Sequence, residues 1–204
     1  MTHENKSVPI RAVVDYAQLV VSEYKAECEF PINRILCSRA KRWDCPPEGL
    51  VKINVDAAFV SISGDASIGI VARNSHGLVI DARAHKLQGV HTAETAEACA
   101  FTAGLKMAVE NEWAEALIEG DSMAVINKLN APALDRSLTA AHLREAYAIL
   151  SESNNIKAVH VGREANRVAH SLAQWGLSCN EPFIFSYELP DCIMRFVIDD
   201  AIYG

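Results

Sequence analysis

The chain has 204 residues, 50% of them hydrophobic and 22% charged, and a formal net charge of −7. That length holds one domain with a sizeable core and an appendage. The acidic balance argues against a protein that grips duplex nucleic acid mainly through its own charge, so any such contact is local or carried by bound cations.

No apolar stretch approaches the roughly 20 residues that span a bilayer. The opening MTHENKSVPIRAVV has no signal-like apolar run, so an intracellular site, nucleus or cytoplasm, is expected. Cys28, Cys37, Cys45, Cys99, Cys179 and Cys192 form no CxxC pair and are expected as free thiols. The spacing of Cys28, Cys37 and Cys45 disfavours a metal site there. The sequence sets no oligomeric state, and a monomer is the default.

From Val8 to about Phe30, Ile10, Val13, Val14, Ala17, Val20 and Val21 recur at helical spacing. Residues 31–49, with Pro31, Pro46, Pro47 and Gly49, read as a linker. Residues 1–48 are therefore expected to be a helical extension and linker. Val51, Ile53, Val55, Ala57 and Phe59 then alternate with Lys52, Asn54, Asp56 and Ala58, the period of a strand. Two more strands, ASIGIVARN and LVIDARAHKL, flank the turn Asn74-Ser75-His76-Gly77 and complete an antiparallel meander.

A helix over 91–111 follows, with Thr92 as N-cap but Thr95 where a capping box needs Glu or Gln. EALIEG is a fourth strand, SMAVINKLN a helix broken before Pro132, and 137–153 another helix. IKAVHVG is a fifth strand and EANRVAHSLAQWG the last helix. The order predicts an α/β fold: a mixed five-stranded sheet, three strands in the meander and two parallel, with helices on both faces. Residues 179–204 read as an apolar tail packed on the domain.

Three carboxylates are poorly explained by packing. Asp is disfavoured inside a strand, so Asp56 marks either a solvated edge or a site. Glu97 falls in a stripe of small residues with Ala93, Ala100, Gly104 and Ala108, where it is costly unless paired or bound to a cation. Its alternative is a Glu snorkelling at the helix edge, with Glu94 the fallback. Asp121 ends the fourth strand, where it could cap the next helix or join a site at the strand ends. Together they point to a divalent-cation site of the kind Mg²⁺ favours, able to activate water and stabilise the leaving 3′ oxygen of a phosphodiester.

VKINVDAAF, AETAEACAFTAGLKMA, EALIEGDSMAVINKLN and VHVGREANRVAHSLAQWG, in this order, resemble the ribonuclease H type 1 family. The likeness is to its plant reverse-transcriptase-like, retrotransposon-derived branch, and it covers about 50–178 within an expected domain of 49–178. The resemblance implies a ribonuclease H-like fold and a Mg²⁺- or Mn²⁺-dependent endonuclease that cuts the RNA strand of RNA–DNA hybrids. It places the metal and catalytic acids on Asp56, Glu97 and Asp121. The family's fourth acid follows Asn-x-x-Ala, and this chain has His170 after Asn166-Arg167-Val168-Ala169.

An imidazole there could serve as a ligand that suits Mn²⁺ better than Mg²⁺, or mark an inactive nucleic-acid-binding module. A third reading is a protein-interaction remnant using 8–30 and the tail. Residues 122–160 are nearly neutral, so hybrid affinity is expected to be weak and salt-sensitive. Asn54, Asn74, Arg163, Asn166 and Arg167 are the candidate nucleic-acid contacts, and solvated surface is the alternative for each.

Overall fold

The computed structural model describes residues 42–130 and 138–203. The helix expected over 8–30 and the linker up to residue 41 lie outside the described residues. Strand β1 spans Leu50–Val60, β2 Asp65–Arg73 and β3 Val79–Leu87. Helix α1 spans Ala93–Glu110, β4 Glu115–Gly120, α2 Met123–Asn130, α3 Leu138–His142, α4 Arg144–Glu152 and β5 Ile156–His160. A 3₁₀ turn at Arg163–Ala165 leads into α5 (Arg167–Gly176), followed by β6 (Phe183–Ile184) and α6 (Asp191–Tyr203).

The strands pair in the order β5-β4-β1-β2-β3-β6. Strand β1 is central: antiparallel to β2, with Asp56 opposite Gly69, and parallel to β4, with Asn54 opposite Glu119. The meander and the parallel pair are as expected, but the sheet has six strands and not five. Phe183 and Ile184 pair antiparallel with Ala84 and Arg83 and cover part of an otherwise bare β3 edge. Two residues carry no readable period, which is why the sequence reads them only as tail.

Both faces of β1 are covered. Helix α1 packs on one face and α5 on the other. On the α1 side, Ile53, Val55, Ile68, Ile70, Phe101, Leu105 and Ile118 form the main core. Ile53 and Val55 are 0% exposed, and each such burial contributes roughly 1.5–3 kcal/mol. The small-residue stripe makes this contact close, because a Cβ on Gly104 would lie 2.5 Å from Val55 Cγ1.

A second core, Val71, Ala82, Ala84, Val168, Leu172 and Ile193, lies beneath α5 and α6. Here Gly69 lets two backbones meet: a Cβ would collide with Ala169 O and Ala173 N. That approach holds α5 over the middle of β1.

Thr92 caps α1 as expected, accepting from Thr95 N, while the two hydroxyls lie 2.8 Å apart. The approach to β1 is more than a spacer. Trp43 is 1% exposed, with the Arg73 guanidinium 3.5 Å from its ring centroid. Among the described residues no helix is long and apolar enough to cross a membrane.

Candidate active site

Pairing between β1 and β4 stops at Asn54 and Glu119. That end of the pair is the carboxyl end of two parallel strands, the place where α/β sheets hold ligands. Asp56 projects from β1, Asp121 follows β4 directly, and Glu97 comes from the first turns of α1. One carboxylate oxygen from each lies within 4.8 Å of the others.

The alternatives left open by the sequence are resolved by position. Asp56 is 2% exposed on the central strand, so it is not a solvated edge residue. Among the described residues Asp121 makes no capping hydrogen bond to α2. Glu97 does not snorkel: its Oε2 is buried and has no hydrogen-bond partner among the described residues. Glu94 pairs with Lys128 at 3.4 Å, away from the cluster.

The electrostatics follow from crowding. Burial, then the charge of Asp121, pushes Asp56 up to about 6, against the hydrogen bond and charge of His170. Burial, then the charges of Asp56 and Asp121, pushes Glu97 up to about 9, although the Ala57 N–H favours its ionised form. Asp56 and Glu97 resist ionising together at such close range without a cation. An all-oxygen acidic donor set with an orphaned buried oxygen fits Mg²⁺ or Mn²⁺.

His170, expected as a fourth ligand, is not among the side chains whose donor atoms lie within 4.8 Å of one another. Arg163 Nη2 lies 3.2 Å from His170 Nε2, and a guanidinium can only donate, so Nε2 accepts. The ring proton is then on Nδ1, which donates to Asp56 Oδ2 at 2.6 Å. With both nitrogens engaged, the imidazole orients Asp56, as outer-shell partners of ligands do.

The nucleic-acid contacts expected from sequence fare unevenly. Asn54 and Asn166 are 0% and 1% exposed and bond each other at 3.3 Å, so neither faces solvent. A strand covered on both faces turns its alternate residues inward. Asn74 accepts from His76 N and Leu78 N in the β2–β3 turn. It lies five residues beyond Gly69, the partner of Asp56, about 17 Å along the strand. Arg167 is tied to Asp200 at 3.4 Å and lies over the Phe196 ring. Arg163 alone of the set is exposed, and its guanidinium lies 3.2 Å from His170 Nε2.

Sequence reasoning missed Arg73, Glu119 and Asp200, all buried and charged. A charged residue ending an otherwise apolar strand was the available signal for Arg73 and Glu119. Nothing marked Asp200.

A sequence model of the reverse transcriptase-like family matches residues 54–176. An Arabidopsis thaliana protein bearing a ribonuclease H name is 27% identical over 194 residues, 95% of this chain but 31% of that protein. This chain thus spans about a third of that relative's length. RNase H1 of the halophilic archaeon Halobacterium salinarum superposes with TM-score 0.57 and 24% identity, over 63% of this chain and 97% of its own. RNase H1 from a compost metagenome, solved with an RNA/DNA hybrid, gives TM-score 0.55 and 19% identity, over 62% and 96%. These likenesses show the ribonuclease H-like α/β fold.

Proposed function

The chain belongs to the reverse transcriptase-like family, and on that premise we propose that it is a divalent-cation-dependent endonuclease cutting the RNA strand of RNA–DNA hybrids. The observation that carries this reading is the meeting of Asp56, Glu97 and Asp121 from three separate elements, with Glu97 Oε2 buried and unpartnered. A relative bearing a ribonuclease H name and a hybrid-bound structural neighbour support the substrate class.

Asp56, Glu97 and Asp121 would hold the ion. Bound there, Mg²⁺ or Mn²⁺ would neutralise the phosphodiester and promote ionisation of the attacking water. The chain's own work is preparation. His170 fixes the rotamer of Asp56, and Glu97 keeps its proton until a cation arrives. Burial of Asp56 excludes water from one side of the site. Arg163, exposed beside His170, has guanidinium donors left to meet a phosphate. Residues 49–178 form the nuclease domain in this reading, 1–48 an extension and 179–204 a packed tail. The site of action is the nucleus or cytoplasm.

A second reading, hybrid binding without cleavage, is favoured by one observation: the fourth position holds His170 and no fourth carboxylate. The two separate in one experiment. RNA-labelled hybrid is incubated with wild type and Asp56→Asn in Mg²⁺ and in Mn²⁺, with gel shift in parallel. Cleavage to 3′-hydroxyl ends by wild type alone supports the nuclease. Retarded but intact hybrid supports the binder, and equal cleavage by both proteins sinks the assignment.

A further inference from the structure

Asp200 lies on α6, outside the stretch 54–176 matched to the family. It is nonetheless one of the most buried charges among the described residues, 4% exposed. Its Oδ2 accepts from Arg73 Nη1 at 2.8 Å, and the Arg73 side chain is 0% exposed. Arg73 cannot shed its proton at any ordinary pH, so Asp200 supplies the charge that makes its burial tolerable.

What lies beyond Arg73 gives the pair a direction. Arg73 Nη2 donates to Asn54 Oδ1 at 2.6 Å. A guanidinium never accepts, so this contact fixes which way the Asn54 amide faces. Its Nδ2 must then point to Glu119 Oε2 at 3.1 Å and Asn166 Oδ1 at 3.3 Å. With its oxygen engaged, Asn166 donates through Nδ2 to Val55 O at 2.9 Å. That carbonyl belongs to the peptide unit leading into Asp56.

The same chain of donors reaches three places around the site: Val55 before Asp56, Glu119 two residues before Asp121, and Asn166, whose carbonyl accepts from His170 N at 3.0 Å. Stability alone does not account for such a relay, because well-packed apolar residues often replace a buried ion pair without loss.

We infer that Asp200 is a positioning residue, acting through Arg73, Asn54 and Asn166 to set the peptide that carries Asp56. The C-terminal helix is thereby part of the site's support. This rests on the metal-site reading above, since what it positions is a cation ligand.

The test is the double variant Arg73→Met/Asp200→Leu, which removes both charges together and strands neither. Asp200→Asn, which keeps an acceptor for Arg73, stands in should the double variant fail to fold. Calorimetric Mn²⁺ titration and the side-chain amide NMR signals of Asn54 and Asn166 are read on protein shown by circular dichroism to be folded. The expected result is displaced amide signals and Mn²⁺ affinity weaker by about tenfold, the lower end for lost outer-shell support. Wild-type affinity in the folded variant, with or without displaced signals, overturns the proposal. Equal Mn²⁺ binding by wild type and Asp56→Asn would instead overturn the metal site, and unmoved amide signals would then refute the relay separately.

Discussion

His170 Nδ1 donates to Asp56 Oδ2 at 2.6 Å, joining α5 to β1 across 114 residues of sequence. The contact places an orienting group where the family resemblance expects an acid. His170→Asp would put a fourth carboxylate beside the cluster, and carboxylate suits Mg²⁺ better than imidazole does. Its Mg²⁺-supported cleavage of hybrid is expected to exceed wild type by about tenfold, whereas His170→Ala should fall below it by a similar factor. Initial rates at saturating Mg²⁺ decide. An unchanged rate for both variants would remove the residue from the site.

Asp56→Asn should trade function for stability. In the absence of metal it relieves the crowding of buried Asp56 against the carboxyl groups of Glu97 and Asp121, and each 1 kcal/mol so gained raises Tm by about 2–4 °C. Wild type, by contrast, gains about 2.7 kcal/mol from a cation present at a hundred times its Kd. Melting with and without Mn²⁺ should show a metal-dependent rise in wild type and none in Asp56→Asn. A rise of equal size in both would place the bound cation elsewhere.

The same crowding sets a pH dependence. Glu97 moves from 4.5 to about 9 and Asp56 from 3.8 to about 6 on folding. Both are raised, so the folded chain holds more protons than the unfolded chain across that window, and stability falls as pH rises. Metal-free protein should be most stable toward the acid side and lose stability between about pH 4 and 9. Glu97→Gln should flatten most of that slope, and saturating Mn²⁺ should oppose it, because metal and proton compete for the same oxygens. Urea midpoints across pH measure it.

Gly69→Ala tests how the helix is held over the strand. The added methyl meets Ala169 O and Ala173 N, backbone atoms that cannot rotate away. The substitution should cost about 1–3 kcal/mol, seen as a lower urea midpoint at unchanged m. It should also loosen the His170–Asp56 contact and weaken Mn²⁺ binding. Gly64→Ala, where a Cβ meets nothing within 4 Å, should leave Mn²⁺ affinity as it was and pay only for its positive φ.

Asp56 and Glu97 were legible because each broke a local rule, and Asp121 because of where it stands. Asp56 is an acid inside a strand, Glu97 a charge in a small-residue stripe, and Asp121 an acid at a strand-to-helix junction. The meander and both parallel strands were legible from their period. What escaped was whatever depends on a partner far along the chain. Asn54 has the sequence context of a sugar-contacting residue until Arg73 and Asn166 are seen on either side of it. Asp200 sits next to Asp199 in what reads as an apolar packed tail, and its buried partner is a guanidinium 127 residues away. His170 was singled out through its neighbours Asn166 and Ala169, but nothing around it in sequence foretold the contact with Arg163 that makes Nε2 an acceptor.

Strand β1 carries two programmes on one backbone. Val51, Ile53 and Val55 belong to the main core, while Lys52 and Asn54 reach toward Glu119 and Asp56 meets His170. Tolerance to mutation along it should therefore differ in kind at successive positions. Odd-numbered sites guard the fold, and Asp56 can be neutralised to yield a sturdier molecule that has lost its trade. Selection for thermal robustness alone would erode this strand at a residue that the proposed cleavage requires.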